Sequence, residues 1–185
     1  MPNQHDNTAN LLNQYRDYLA LLGRLQLDPM LQAKVDVSGV VQATMLEACE
    51  SDWASFEDQE KLPWLRRVFS NNLIDEIRRF RTEARDVRRE RPLSHRVEQS
   101  ASRLQVWLKS DTPSPSQRAV QAEDELQLAG ALASLPDAQR EAIELHHLKG
   151  VPLEDVSRIM QRTKGAVAAL IFRGTTQLRQ IMQPS

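Results

Sequence analysis

Apolar residues return every three or four positions through each long segment of this chain, which restricts those segments to amphipathic helices. In "NLLNQYRDYLALLGRLQL" the stripe is Leu11, Tyr15, Tyr18, Leu19, Leu22 and Leu25, and "DPM" then breaks it. A second helix begins at Ser38, with Val41, Met45 and Ala48 facing one way and Val37, Val40 and Thr44 beside them. "SDWASFEDQEK" reads as a polar loop holding Trp53 and Phe56. A third helix starts near Leu62 with Pro63 in its first turn, where the missing N–H costs little. It buries Leu65, Val68, Phe69, Leu73, Ile77 and Phe80 and stops near Pro92.

Four more helices are expected near 117–133, 136–149, 152–160 and 164–182. Ser134 is the expected N-cap of the second, Asp137 suits its positive end, and Gly150 ends it. Between the two groups, "SDTPSPSQ" alternates Pro and Ser and cannot hold a helix. Leu104, Val106, Trp107 and Leu108 form an apolar patch in that stretch, which either docks on a domain or serves a partner as a peptide. The expected fold is therefore all-α, with two small helical domains joined by a flexible linker. Their bounds are 1–91, 92–116 for the linker, and 117–185.

The net charge of −1 hides a segregated pattern. Residues 1–60 carry three basic and ten acidic side chains; 61–96 carry Lys61 and ten arginines against five acids. Residues 97–155 are net acidic, and 156–185 hold Arg158, Arg162, Lys164, Arg173 and Arg179 with no acid at all. Two basic blocks in an acidic chain suit contact with a polyanion at two places, or else two solvated helix faces.

The second block decides between these. In "GVPLEDVSRIMQRTKGAVAALIFRGTTQLRQ" a short helix turns Leu153, Val156 and Met160 inward. A tight turn follows, Thr163 caps a longer helix, and that helix buries Val167, Leu170, Ile171, Gly174 and Leu178. Short helix, tight turn and longer helix make a helix-turn-helix, whose second helix enters the major groove. A helix with a purely structural role has no reason to exclude acids.

"LASLPDAQREAIELHHLKGVPLEDVSRIMQRTKGAVAALIFRGTTQLRQ" resembles the promoter-binding region four of bacterial sigma factors of the extracytoplasmic-function (ECF) type. "VDVSGVVQATMLEA" is similar to their core-polymerase-binding motif in region two, and "LPWLRRVFSNNLIDEIRRFRTEARDVRRE" to the helix that reads and melts the minus-ten element. The matches follow the family's order. The resemblance implies an alternative sigma factor that binds core RNA polymerase and promoter DNA, both as duplex and as melted non-template strand. It implies a polymerase contact through Asp36, Val37, Val41, Gln42 and Glu47, with Ala43 standing where the family has glutamate. Minus-ten contacts fall on Trp53, Phe56, Trp64, Arg67, Asn71, Asn72, Arg78 and Arg79, and "DWASFEDQEK" takes the place of the loop that captures a flipped base. Minus-thirty-five contacts fall on Arg158, Arg162, Thr163, Lys164, Ala168, Phe172 and Arg173.

The residues themselves agree with strand opening, which needs a positive track and flat faces. Arg66, Arg67, Arg78, Arg79, Arg81 and Arg85 supply charge. Trp53, Phe56 and Trp64 are stacking or wedge groups, with Trp64 equally suited to the core. Asn71 and Asn72 pair donor and acceptor for base edges. In the reading helix Ala168 and Ala169 leave room for close approach and can meet a thymine methyl. A linker of about 25 residues has an r.m.s. span near ~25–30 Å, and at full stretch exceeds one DNA turn of ~34 Å.

No enzyme is expected. His146 and His147 are adjacent and diverge on a helix, so neither a metal nor any other cofactor is implied, and no glycine-rich phosphate loop is present. The single Cys49, the lack of a signal-like start and the absence of a long apolar run predict a cytoplasmic protein with no membrane partner. An anti-sigma factor is a further candidate partner. The competing functions are a stand-alone helix-turn-helix regulator and a helical adaptor for acidic proteins.

Overall fold

Spacing of three and four becomes helix throughout the computed structural model, which describes residues 4–27, 34–83, 96–104 and 118–183. The helices are α1 Gln4–Gln26, α2 Val37–Glu50, α3 Asp58–Glu83, α4 (96–104), α5 Arg118–Ala133, α6 Asp137–Ile143, α7 Leu153–Ile159 and α8 Lys164–Met182. A 3₁₀ turn, Asp52–Ser55, joins α2 to α3, and a π turn, Glu144–Leu148, prolongs α6. Among the described residues there is no strand, and no helix is long and apolar enough to cross a membrane. Arg85, the 106–108 patch and the Pro/Ser-rich run lie outside the described residues, as do the side chains of Leu11, Phe80 and Arg81.

Local chemistry moves several helix starts. Asp36, rather than Ser38, opens α2: its Oδ1 accepts from Gly39 N at 3.0 Å. α3 begins a turn before Leu62, with Asp58 and Glu60 at its positive end and Lys61 paired to Asp58 at 2.7 Å. Pro63 therefore lies inside the helix, not in its first turn. Ser134 does not cap α6. Its hydroxyl donates to Ala131 O, and Pro136 holds the cap position, from which residues of the first turn reach its carbonyl.

The larger departure is in the core. One apolar cluster runs from Tyr15, Leu19 and Leu22 of α1 through Leu65, Phe69 and Leu73 of α3 to Leu128, Leu132 and Leu178 of α5 and α8. α1 lies along α5 and also packs on α2. The approach to α2 depends on Gly23, where a Cβ would stand 2.5 Å from Val37 Cγ1. Part of the expected linker belongs to this core: Val97, Ser100, Ala101 and Leu104, spaced as one helical stripe, are all buried. The flanking Pro- and Ser-rich composition concealed that stripe in the sequence.

Polar groups stitch the same seam. Arg66 is buried, contrary to its expected place on the positive track. Its Nη1 donates to Tyr18 Oη at 2.9 Å and approaches Glu125 Oε2 at 3.5 Å, and its Nε donates to Glu98 Oε1 at 3.1 Å. Tyr18 in turn donates to Glu125 Oε2 at 2.9 Å. Burial works against the guanidinium, but Tyr18, Glu98 and Glu125 outweigh it and raise its pKa. Burial and the Glu125 carboxylate push the Tyr18 phenol well above its ordinary value, against the pull of Arg66. Further along, Arg24 pairs with the buried Glu144 at 2.9 Å, and Lys149 Nζ donates to Leu27 O at 2.9 Å. The π turn carries Glu144 on a register that the sequence periodicity did not announce.

Two outcomes follow from this seam. Arg66→Ala should cost about 3–5 kcal/mol in urea unfolding, because it leaves a buried carboxylate uncompensated. Arg66→Met combined with Glu125→Leu should recover most of that loss, and equal instability of the single and double variants would refute the account. Tyr18 titrates higher folded than unfolded, so the stability it lends is complete below pH ~10 and declines as the pH rises further. Tyr18→Phe should therefore flatten the alkaline fall in stability, measured by chemical denaturation from pH 8 to 11.

Candidate nucleic-acid interface

The C-terminal helices build a helix-turn-helix on a small core of their own. Ala142, Leu145, Val156, Val167 and Leu170 form it, with Leu153, Met160 and Ile171 packed alongside. Gly174 lets α8 close onto α6, since a Cβ there would stand 2.6 Å from Ile143 Cδ1. The turn between α7 and α8 passes through Gln161 at φ 52°, a left-handed conformation that a non-glycine residue adopts at some strain. Thr163 then caps α8, accepting from Ala166 N at 3.2 Å.

This packing turns one face of α8 to solvent. Gly165, Ala168, Ala169, Phe172, Arg173 and Thr176 are exposed, with Phe172 at 71%. A shallow, mainly apolar groove of about 450 Å³ flanks it, lined by Ala168, Ile171 and Phe172 together with His146, His147 and Leu153. The cations frame this apolar centre unequally. Arg158 pairs with Asp155 at 2.6 Å and Lys164 with Glu154 at 3.3 Å. Arg162 and Arg173 are exposed and have no ion pair among the described residues. All seven residues expected to meet the minus-thirty-five element are exposed.

The second surface lies where α2 meets α3. Arg67, Asn71, Arg78 and Arg79 are exposed along α3, the last two near Asp75 and Glu76 at 3.6 and 3.8 Å. Asn72 is half-buried against α2, where its Nδ2 donates to Glu47 Oε1 and Thr44 Oγ1. A cleft of about 360 Å³ separates the two helices, bounded by Asp36, Gly39, Ala43, Asn72, Asp75 and Arg79. Ala43, the departure from the family motif, leaves part of that space unfilled.

The aromatic residues divide. Trp53 is buried, packs edge-to-face on Tyr15 at 5.1 Å and donates from Nε1 to Lys61 O at 3.4 Å. It is a core residue here and offers no open face for stacking. Phe56 and Trp64 are half-buried and edge-to-face at 5.9 Å, so both belong to the rim of the core as well. On α2, Asp36 is spent on the cap and Val41 is buried, while Gln42 and Glu47 are exposed. The residue overlooked on that helix is Leu46, 59% exposed in the polar face beside Gln42. Its signal was present: a leucine on the wheel opposite Val41 and Ala48 has no core to join.

Residues 125–178, from the buried Glu125 to the end of α8's buried stripe, match the family described as Sigma-70, region 4. Over 175 residues, 91% of this chain and 86% of its relative, the sequence is 31% identical to the ECF RNA polymerase sigma factor SigF of Caulobacter vibrioides. The chain belongs to the ECF RNA polymerase sigma factors. It is thereby an alternative sigma factor, with a role in transcription initiation. ECF RNA polymerase sigma factor SigM of Bacillus subtilis is 26% identical over 127 residues, 69% of this chain and 68% of SigM. The probable RNA polymerase sigma factor RfaY of Xanthomonas campestris is 29% identical over 119 residues, and the match spans 27% of its length.

The second helix of the helix-turn-helix, α8, opens on one capping hydroxyl, that of Thr163. Thr163→Ala should lower the stability of the helix-turn-helix by about 1 kcal/mol, and Thr163→Ser should keep most of it. Hydrogen exchange of the α8 amides reads this directly, and unchanged protection in Thr163→Ala would show that the cap contributes nothing.

Proposed function

We propose that this sigma factor grips core RNA polymerase through α2, reads the minus-ten element through α3 and the minus-thirty-five element through α8. In this reading residues 1–91 act as region two, 117–185 as region four, and 92–116 as the connection. The observation that carries it is the exposed face of α8. It is acid-free and solvent-facing, with a small apolar centre inside a frame of arginine and lysine.

Each part has a physical task. Gln42, Leu46 and Glu47 give polymerase a contact of mixed chemistry, with Leu46 as the apolar anchor. Asp36 contributes by fixing the helix start, and Val37 and Val41 by seating the helix. Arg67, Asn71, Asn72, Arg78 and Arg79 meet the opened strand. With Trp53 committed to the core, Phe56 and Trp64 are the aromatic groups nearest the loop. On α8, Ala168 and Phe172 meet base edges and methyl groups. Arg158, Arg162 and Lys164 hold phosphates, with Thr163 at the helix start. Arg173, exposed on the same helix and unpaired among the described residues, is the base-reading cation. A protein antagonist such as an anti-sigma factor would cover those same faces. The work is binding and strand selection rather than catalysis, in the cytoplasm where polymerase acts.

The decisive experiment is in-vitro transcription with purified core enzyme on a library of promoter-like sequences. Initiation should require this chain and core together. Specific duplex binding by the chain alone, with no core-dependent transcription, would indicate a stand-alone regulator instead. Within that assay Arg173→Ala should relax base preference in the minus-thirty-five element. Lys164→Ala should weaken binding about equally across sequences and make the salt dependence shallower by about one ion. A uniform loss for Arg173→Ala would overturn this division of roles.

A further inference from the structure

The junction of α2 and α3 fixes which way one amide faces. Asn72 Nδ2 lies 2.8 Å from Glu47 Oε1 and 3.2 Å from Thr44 Oγ1. An ionised carboxylate only accepts hydrogen bonds, so the NH₂ end of Asn72 must point at Glu47. Thr44 gives the same answer by a separate route. Its hydroxyl is fully buried and commits its one proton to Val40 O at 2.8 Å, so towards Asn72 it too can only accept. Two neighbours that accept and cannot donate leave the amide one orientation. Asn72 Oδ1 then lies on the other side, with no donor bonded to it among the described residues. It is not among their buried unpartnered side-chain atoms, so it opens to solvent.

We infer that Glu47 is a positioning residue that presents Asn72 to the minus-ten strand as a hydrogen-bond acceptor. Asn72 accordingly selects a base that offers an amino group on its major-groove edge, adenine or cytosine, over guanine or thymine. This rests on the assignment of α3 to the minus-ten element. On the major-groove edge adenine N6 and cytosine N4 donate towards such a carbonyl, whereas guanine and thymine set an acceptor, O6 or O4, at the corresponding place. Donation of the NH₂ end to a charged carboxylate also polarises the amide and strengthens Oδ1 as an acceptor. Glu47 retains Oε2 for polymerase, so one exposed side chain serves both the core contact and the reading of the promoter.

The test is transcription by holoenzyme at saturating core, on promoters carrying each of the four bases in turn at every minus-ten position. The wild-type chain should prefer adenine or cytosine over guanine or thymine at one position by about five- to tenfold, the size of one well-made hydrogen bond. Asn72→Ala should erase that preference. Glu47→Ala should reduce it below about twofold while leaving minus-thirty-five preferences untouched. Glu47→Gln, which can offer Asn72 either an oxygen or an NH₂ group, should fall between them. The readout is a ratio between promoters, so weaker capture of core by a Glu47 variant cancels. Glu47 is exposed, and its variants keep the core intact.

Full preference retained in Glu47→Ala would overturn the positioning role. So would a preference for guanine or thymine at the position that Asn72→Ala affects. If wild-type holoenzyme initiates but Asn72→Ala changes no position, the assignment of Asn72 fails and this inference with it. Failure of the wild-type chain to initiate with core would strike the proposed function itself.

Discussion

Arg66 is the charge around which this molecule is assembled. A guanidinium withdrawn from water is tolerated only when its donors are satisfied and its charge is balanced. Here the partners come from separate parts of the chain: Tyr18 on α1, Glu98 on α4 and Glu125 on α5. The Tyr18–Arg66–Glu125 triad permits one register, because any slip leaves a carboxylate or a guanidinium stranded in a low dielectric. Such a network commonly adds little net stability over an apolar one.

With that arrangement set, the functional faces are what the core leaves over. α8 spends Val167, Leu170, Gly174 and Leu178 on packing, and the opposite face is presented whole. α3 spends Leu65, Phe69, Leu73 and Ile77 inward with Arg66, while Arg67, Arg78 and Arg79 line the outside. α2 contributes Val40, Val41, Thr44 and Ala48 inward and keeps Gln42, Leu46 and Glu47 out. The α2 and α3 faces meet at Asn72, whose amide on α3 donates to Glu47 on α2. Under the proposed function, coupling between holoenzyme assembly and promoter reading would need no long path, since one hydrogen bond spans the two helices.

The helices, the helix-turn-helix and its exposed face were legible because each rests on local chemistry. Periodicity names the buried stripe, Thr163 can cap only the helix that follows it, and the absence of acids after Asp155 is a property of composition. Less was legible about individual side chains of mixed character. Trp53 stood in a polar loop and read as a stacking group, yet it fills space against Tyr15, some forty residues earlier. Arg66 and Arg67 are neighbours of one type, and only their angle on α3 sends one into the core and the other to solvent. Leu46 was readable, by its place on the helical wheel, and was passed over. Asn72 was singled out from resemblance, but the direction of its amide belongs to the packing of α2 against α3.

The sequence by itself determined most of the helices, the class of fold and the two basic segments. Those follow from interactions between residues three or four apart, or from charge summed over a segment, and neither needs a partner from elsewhere in the chain. Only the tertiary structure decided that both halves share one core, that 96–104 closes the seam between them, and that Arg66 serves the fold rather than DNA. Those outcomes depend on groups far apart in sequence, such as Tyr18 and Glu125, 107 positions apart. A buried charge is placed by whichever partners the packing brings within about 3 Å, and no local pattern encodes that meeting.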